Sequence, residues 1–203
     1  MGPWSHSQWD GKEVTHLGNV YFGSNTAAWY QQNIEIPFFN FYLKNKGDIS
    51  QMAEATIFCS GENSWRNFKQ WPPTEKEDKS LFLQANGGLD WKQPVAKTSS
   101  TGYISDPAKP VPYAEGIHLN RTTNYMTDDQ RFADRRTDVI AFKTGVLTED
   151  LIVTGVVKAN LFAAISTTDA DFVVKVIDVF PDDFSYTDTI ANLGKNSVER
   201  YPM

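Results

Sequence analysis

Cysteine is nearly absent from this sequence. A single residue, Cys59, rules out an internal disulfide framework. Histidine is scarce, with only His6, His16 and His118 in 203 residues. No G-x-S-x-G elbow, Walker loop, H-E-x-x-H, C-x-x-C or G-x-G-x-x-G occurs. A nucleophile with its base therefore cannot be assembled from any local motif. Positive charge is also short: 19 Lys+Arg against 25 Asp+Glu leave a formal net charge of −6. The densest basic cluster, Arg131, Arg135 and Arg136, is broken by Asp134 and flanked by Asp128, Asp129 and Asp138. Counterion release needs clustered Lys and Arg, so no nucleic acid and no anionic membrane is expected as partner. No apolar run reaches the roughly 18 residues of a membrane helix. The opening Met1-Gly2-Pro3-Trp4-Ser5-His6 has neither a charged nor an apolar leader region, so no signal peptide is expected there.

What is abundant is apolar and aromatic: 40% hydrophobic residues, with six Trp, eight Tyr and thirteen Phe. That suffices for a packed core. Residues 1–48 read as aromatic and partly helical. Ser24 and Asn25 are good N-caps before Thr26-Ala27-Ala28-Trp29-Tyr30, and Pro37 predicts a break or kink near Ile36. A second helical stretch from Phe38 to Lys46 has Phe38, Phe41 and Tyr42 on one face, with Gly47 as its expected stop.

Residues 49–105 switch to short β-type runs, 55–59, 65–68 and 80–84. They are separated by Ser60-Gly61-Glu62-Asn63, Pro72-Pro73 and Asn86-Gly87-Gly88. The spacing suggests an antiparallel sandwich. Cys59, inside an apolar run, reads as a buried inert thiol. Residues 106–137, with Pro107, Pro110 and Pro112, form a long irregular stretch that shapes a site or wraps a neighbour. Residues 138–142, 151–165 and 172–180 read as strands. The second bends at Gly155, and the third is central because Val174 and Val176 make both of its faces apolar. The segment 192–197 is loop-like, and the end at 199–203 reads as a chain cut within a loop.

Few residues invite chemistry. His6 sits just after a Gly-Pro turn, where an imidazole can be exposed; taken alone, a lone histidine is usually a surface group. Asp128-Asp129, Asp182-Asp183 and the pair Asp169 and Asp171 read as solvated turns, and none fits an EF-hand loop. Asn120-Arg121-Thr122 matches the glycosylation sequon. Trp65, Trp71 and Trp91 either stack on sugar rings or pack in a core.

Gly2-Pro3-Trp4-Ser5-His6 is followed by Phe22-Gly23-Ser24, Ile36-Pro37-Phe38-Phe39 and Tyr42-Leu43-Lys44. Then come Trp65-Arg66, Trp71-Pro72-Pro73, Asn86-Gly87-Gly88-Leu89, Tyr103-Ile104-Ser105-Asp106-Pro107 and Pro110-Val111-Pro112-Tyr113. Asp128-Asp129-Gln130-Arg131, Leu147-Thr148-Glu149-Asp150, Asp169-Ala170-Asp171-Phe172 and Asp178-Val179-Phe180-Pro181-Asp182 complete the order. This ordered set resembles the C-terminal part of the serine hydrolases grouped with cocaine esterase, alpha-amino-acid ester hydrolases and X-Pro dipeptidyl-peptidases. Tyr125-Met126-Thr127-Asp128-Asp129-Gln130-Arg131-Phe132 is most similar to the alpha-amino-acid ester hydrolases, which act as acylases of beta-lactam side chains.

The resemblance implies a mostly β chain. Residues 1–48 would be the last helical segment of an α/β-hydrolase domain. Residues 49–203 would be a jelly-roll, galactose-binding-like sandwich, incomplete at its C-terminus. It implies that His6 is the triad base, the one catalytic residue carried by these 203 residues. The family's serine, aspartate and oxyanion donors lie ahead of the histidine loop, so the chain alone is expected to be an inactive piece of a larger hydrolase, with Met1 an internal methionine. No cofactor or metal is implied. The partners implied are the remainder of the α/β-hydrolase domain and a small ester, amide or peptide substrate. A periplasmic or secreted setting is implied as well. The alternative is a stand-alone jelly-roll module that binds carbohydrate or another protein. Loss of the catalytic domain would expose Phe38, Phe39 and Phe41 and lower solubility.

Overall fold

Local sequence signals set the first helix. In the computed structural model, which describes residues 1–181 apart from Lys12 and Arg121, Asn25 caps α1 (Thr26–Tyr30), its side chain accepting from Ala28 N at 3.0 Å. The same carboxamide accepts from Val14 N (3.2 Å). The Asp182-Asp183 pair and the segments 192–197 and 199–203 lie outside the described residues, as does Arg121 of the sequon.

A short hairpin, β1 (His16–Leu17) and β2 (Val20–Tyr21), precedes α1. Thr26 locks the two together: fully buried, it directs both its amide and its hydroxyl to Val14 O at 3.0 and 3.1 Å. Pro37 does not end the helix. The chain passes through a π turn, Gln31–Glu35, and resumes as α2 (Ile36–Lys44) with Pro37 in its first turn, where a missing N–H costs little. The stop is also earlier than Gly47. Asn45 takes the left-handed conformation (φ 50°), and Lys46 N bonds back to Asn40 O at 3.0 Å. Asn tolerates that conformation, so it ends the helix before glycine is needed.

β3 (Ala55–Cys59) and β4 (Ser64–Phe68) pair antiparallel in full register, Ala55 opposite Phe68 and Cys59 opposite Ser64. Cys59 is half-buried rather than enclosed. The hairpin packs on the first segment through rings. Trp65 stacks on Trp29 (centroids 4.6 Å, planes 13° apart) and meets Trp4 and Phe58 at 5.8 and 5.3 Å; Phe58 meets Phe22 at 5.3 Å. Phe58 N also donates to Met1 O (3.0 Å), laying the start of the chain along β3. Val14, Phe22, Ala27 and Phe58 are the buried apolar residues of this core.

A third hairpin, β5 (Phe82–Leu83) and β6 (Leu89–Asp90), is bridged in parallel to Lys143. Residues 106–137 are irregular apart from a 3-10 turn at Asn124–Met126 and one helical turn, α3 (Arg131–Asp134). Arg136 closes this stretch, reaching both Asp138 and Lys109 O (2.9 Å).

The expected strands over 138–142, 151–165 and 172–180 do not form. Only the Lys143 bridge joins this zone to a ladder among the described residues, and Phe162 and Val173 stand fully or nearly fully in solvent. An apolar run gains little from a β conformation until a partner strand takes its backbone groups and a second layer covers its side chains. Neither is supplied by the described residues. Among the described residues, three small two-stranded sheets and few helices make a β-rich chain.

Candidate functional site

His6 lies at the tip of a turn built by its neighbours. Trp4 anchors the approach, its indole against Tyr30 (5.3 Å) and Trp65 (5.8 Å). The ring folds back over Gly2, where any Cβ would overlap it. Ser5 is buried, and both its amide (2.9 Å) and hydroxyl (3.1 Å) donate to Gln8 Oε1. Gln8 N returns a bond to Ser5 O at 3.1 Å, and Gln8 Nε2 reaches His16 O at 3.1 Å, tying the turn to β1. Ser7 closes the turn at φ 62°, a conformation non-glycine residues seldom adopt.

The outcome is an exposed imidazole on a braced turn. Its ring meets Trp9 edge-on at 6.3 Å and makes no hydrogen bond among the described residues. Such a group can take or return a proton once a nucleophile is placed beside it.

Gln8 is the residue the sequence reading missed. Ser5-x-x-Gln8 has the spacing of a capping box, in which the fourth residue reaches back to the first amide, and that signal was legible.

The other candidates stay apart. His16 Nδ1 lies 3.4 Å from Thr15 Oγ1, and His118 Nε2 lies 2.5 Å from Glu115 O. Asp129 is taken by Arg131, whose Nε reaches Oδ2 at 2.7 Å. Burial pushes the Asp129 carboxyl up, but bonds from the Arg131 side chain and amide outweigh it and hold the group below the usual carboxylate range. Among the described residues no three His, Cys, Asp or Glu gather as a metal site, and no helix is long and apolar enough to cross a membrane. The three tryptophans divide. Trp65 is in the ring cluster, Trp71 packs on Phe68 at 5.4 Å, and Trp91 is exposed.

Residues 45–198 match the family described as the X-Pro dipeptidyl-peptidase C-terminal non-catalytic domain. The chain belongs to that family. It is also 32% identical to the cocaine esterase of Rhodococcus sp. (strain MB1 Bresler) over 193 residues, covering 90% of this chain and 33% of the esterase. Coverage of that extent runs ahead of residue 45 and takes in α1. Among solved structures, an aminopeptidase from a marine sediment archaeon (Thaumarchaeota archaeon) matches with a TM-score of 0.59 at 33% identity, over 68% of this chain and 23% of the aminopeptidase. The chain thus spans about a third of the length of the curated relative it matches, and the relatives are hydrolases.

Proposed function

We propose that this chain is the C-terminal portion of a serine hydrolase that acts by acyl-enzyme chemistry on esters or amides of alpha-amino acids, beta-lactam side chains among them, or on X-Pro peptides. His6 is the base of that reaction. It takes the proton of a serine during acylation, returns it to the leaving group, and then draws a proton from water for deacylation. The serine and its aspartate come from outside these 203 residues, so the chain by itself is inactive. In this reading residues 1–48 close the catalytic domain and residues 49–203 belong to a jelly-roll sandwich.

The observation that carries the reading is the His6 turn: an exposed imidazole with unengaged nitrogens, on a loop braced by Gln8, ahead of a domain of a hydrolase family. The α2 surface adds support. Phe38, Phe39, Tyr42 and Leu43 lie open on it, a face suited to cover by the rest of a catalytic domain.

The test is a chimera in which this chain replaces the matching third of the cocaine esterase. Ester hydrolysis should return, and His6→Ala should lower kcat/KM by about a thousandfold or more while far-ultraviolet circular dichroism stays unchanged. Equal turnover by the chimera and its His6→Ala variant would overturn the assignment.

A further inference from the structure

The family match over residues 45–198 is to a non-catalytic domain. The first hairpin inside it, β3–β4, nevertheless grips the loop that carries His6 at two points. One grip is backbone. Met1 N donates to Thr56 O (2.6 Å) and Phe58 N donates to Met1 O (3.0 Å), so Met1 is bonded on both sides of Ile57. The other is a ring. Trp65 meets Trp4 at 5.8 Å between centroids while it stacks on Trp29 at 4.6 Å.

The link from these grips to the imidazole is short and stiff. The ring of Pro3 fixes its own φ, and at Gly2 the far edge of the Trp4 indole fills the space a Cβ would need. Two residues separate Trp4 from His6, a reach of at most about 7 Å. Ser5 between them is buried and donates twice to Gln8 Oε1. A displaced Trp4 ring therefore moves the imidazole, since the intervening chain has little slack to absorb it.

Trp65 itself is held by packing. Its Nε1 is buried and has no hydrogen-bond partner among the described residues. An unpaired buried N–H is a cost, so a plain core position would be served better by phenylalanine. What the indole adds is width, enough to touch Trp4, Trp29 and Phe58 together. We infer that Trp65 is a positioning residue for His6: the first hairpin of the non-catalytic domain sets, through Trp4, where the base stands. The inference rests on the proposed role of His6 and extends it to a part of the chain beyond residues 1–48.

The esterase chimera tests it with two gentle variants. Gly2→Ala pushes the Trp4 ring off its seat and leaves both tryptophans in place. It should lower kcat about a hundredfold at unchanged KM, the usual cost of misplacing a reacting group by about 1 Å. Trp65→Phe gives up no hydrogen bond and should lower kcat severalfold, again at unchanged KM and circular dichroism. Adding Trp4→Phe to Gly2→Ala makes room for the new methyl group and should restore part of the loss. A second readout uses the 203-residue chain alone. The His6 imidazole signal in NMR, assigned by its loss in His6→Ala, feels the Trp9 ring 6.3 Å away and so reports the orientation of His6. Both variants should move it and leave the His118 signal in place. Full kcat in both variants, where His6→Ala abolishes turnover, would overturn the inference and spare the hydrolase reading. A raised KM at constant kcat would overturn it too, by giving the hairpin a role in substrate binding. If His6→Ala leaves turnover intact, the hydrolase reading fails, and a His6 signal unmoved in both variants would show that Trp65 does not orient the imidazole either.

Discussion

Residues 1–68 and residues 138–181 are both rich in apolar side chains, yet only the first group buries them. The first has three devices that work at short range. Asn25 starts a helix, Thr26 pins it to Val14, and the Ser60–Asn63 turn folds β3 against β4. Once formed, these pieces present rings to one another, and Trp65 joins the helix, the hairpin and the His6 loop. The second group has the alternating apolar pattern without a local partner. Val153, Val156, Phe162 and Val173 remain in solvent. Apolar pattern alone marks a segment for burial; what buries it is a partner within reach.

The strongest way to break this comparison is to cut the same kind of side chain in each region. Trp65→Ala should cost about 3 kcal/mol or more, because three rings, Trp4, Trp29 and Phe58, lose their common neighbour. Phe162→Ala should change stability by about 0.5 kcal/mol or less, as expected for a side chain that touches mainly water. Urea unfolding followed by tryptophan fluorescence reads both. Comparable losses would mean that residues 138–181 are packed as firmly as the ring cluster, and the contrast would fall.

How much of this was legible in the sequence follows the same division. The β3 run was readable to the residue, and β4 and the Asn25 cap nearly so, because each is decided within about five positions. The helix end was misplaced by two residues because two neighbours, Asn45 and Gly47, both suit positive φ, and the chain used the first. The 151–165 and 172–180 runs were read as strands on pattern alone, and pattern is silent about partners. His6 entered through resemblance, while its brace, Gln8, was visible as a Ser-x-x-Gln spacing. The bridge between Gly88 and Lys143 was out of reach, because it joins residues 55 apart and no local signal announces it.

A smaller effect sharpens the local side of the comparison. Asn25→Ala removes the acceptor for Ala28 N and for Val14 N together. A lost cap of this type costs about 1 kcal/mol, and Asn25→Asp should retain most of it because a carboxylate accepts the same two bonds. If Asn25→Ala unfolds at the wild-type urea midpoint, the helix start is held by tertiary contacts and not by its cap.

The smallest expected effect tests whether residues 106–137 side with the first region or the second. Asp129 and Arg131 sit at the start of α3, half-buried, with Ala133 enclosed beside them. Because the folded carboxyl titrates below its unfolded value, its stabilisation is fully present above the ordinary carboxylate range. It is lost as pH falls through the depressed folded value. Asp129→Asn should therefore cost about 1 kcal/mol or less at pH 7, discounted for the solvent that still reaches the pair. The wild type and the variant should converge in stability only below about pH 4. A difference that is constant from neutral to strongly acid pH would assign the effect to shape and hydrogen bonding alone. A difference that fades on acidification would show that this stretch, irregular as it is, is held by charge where residues 1–68 are held by rings.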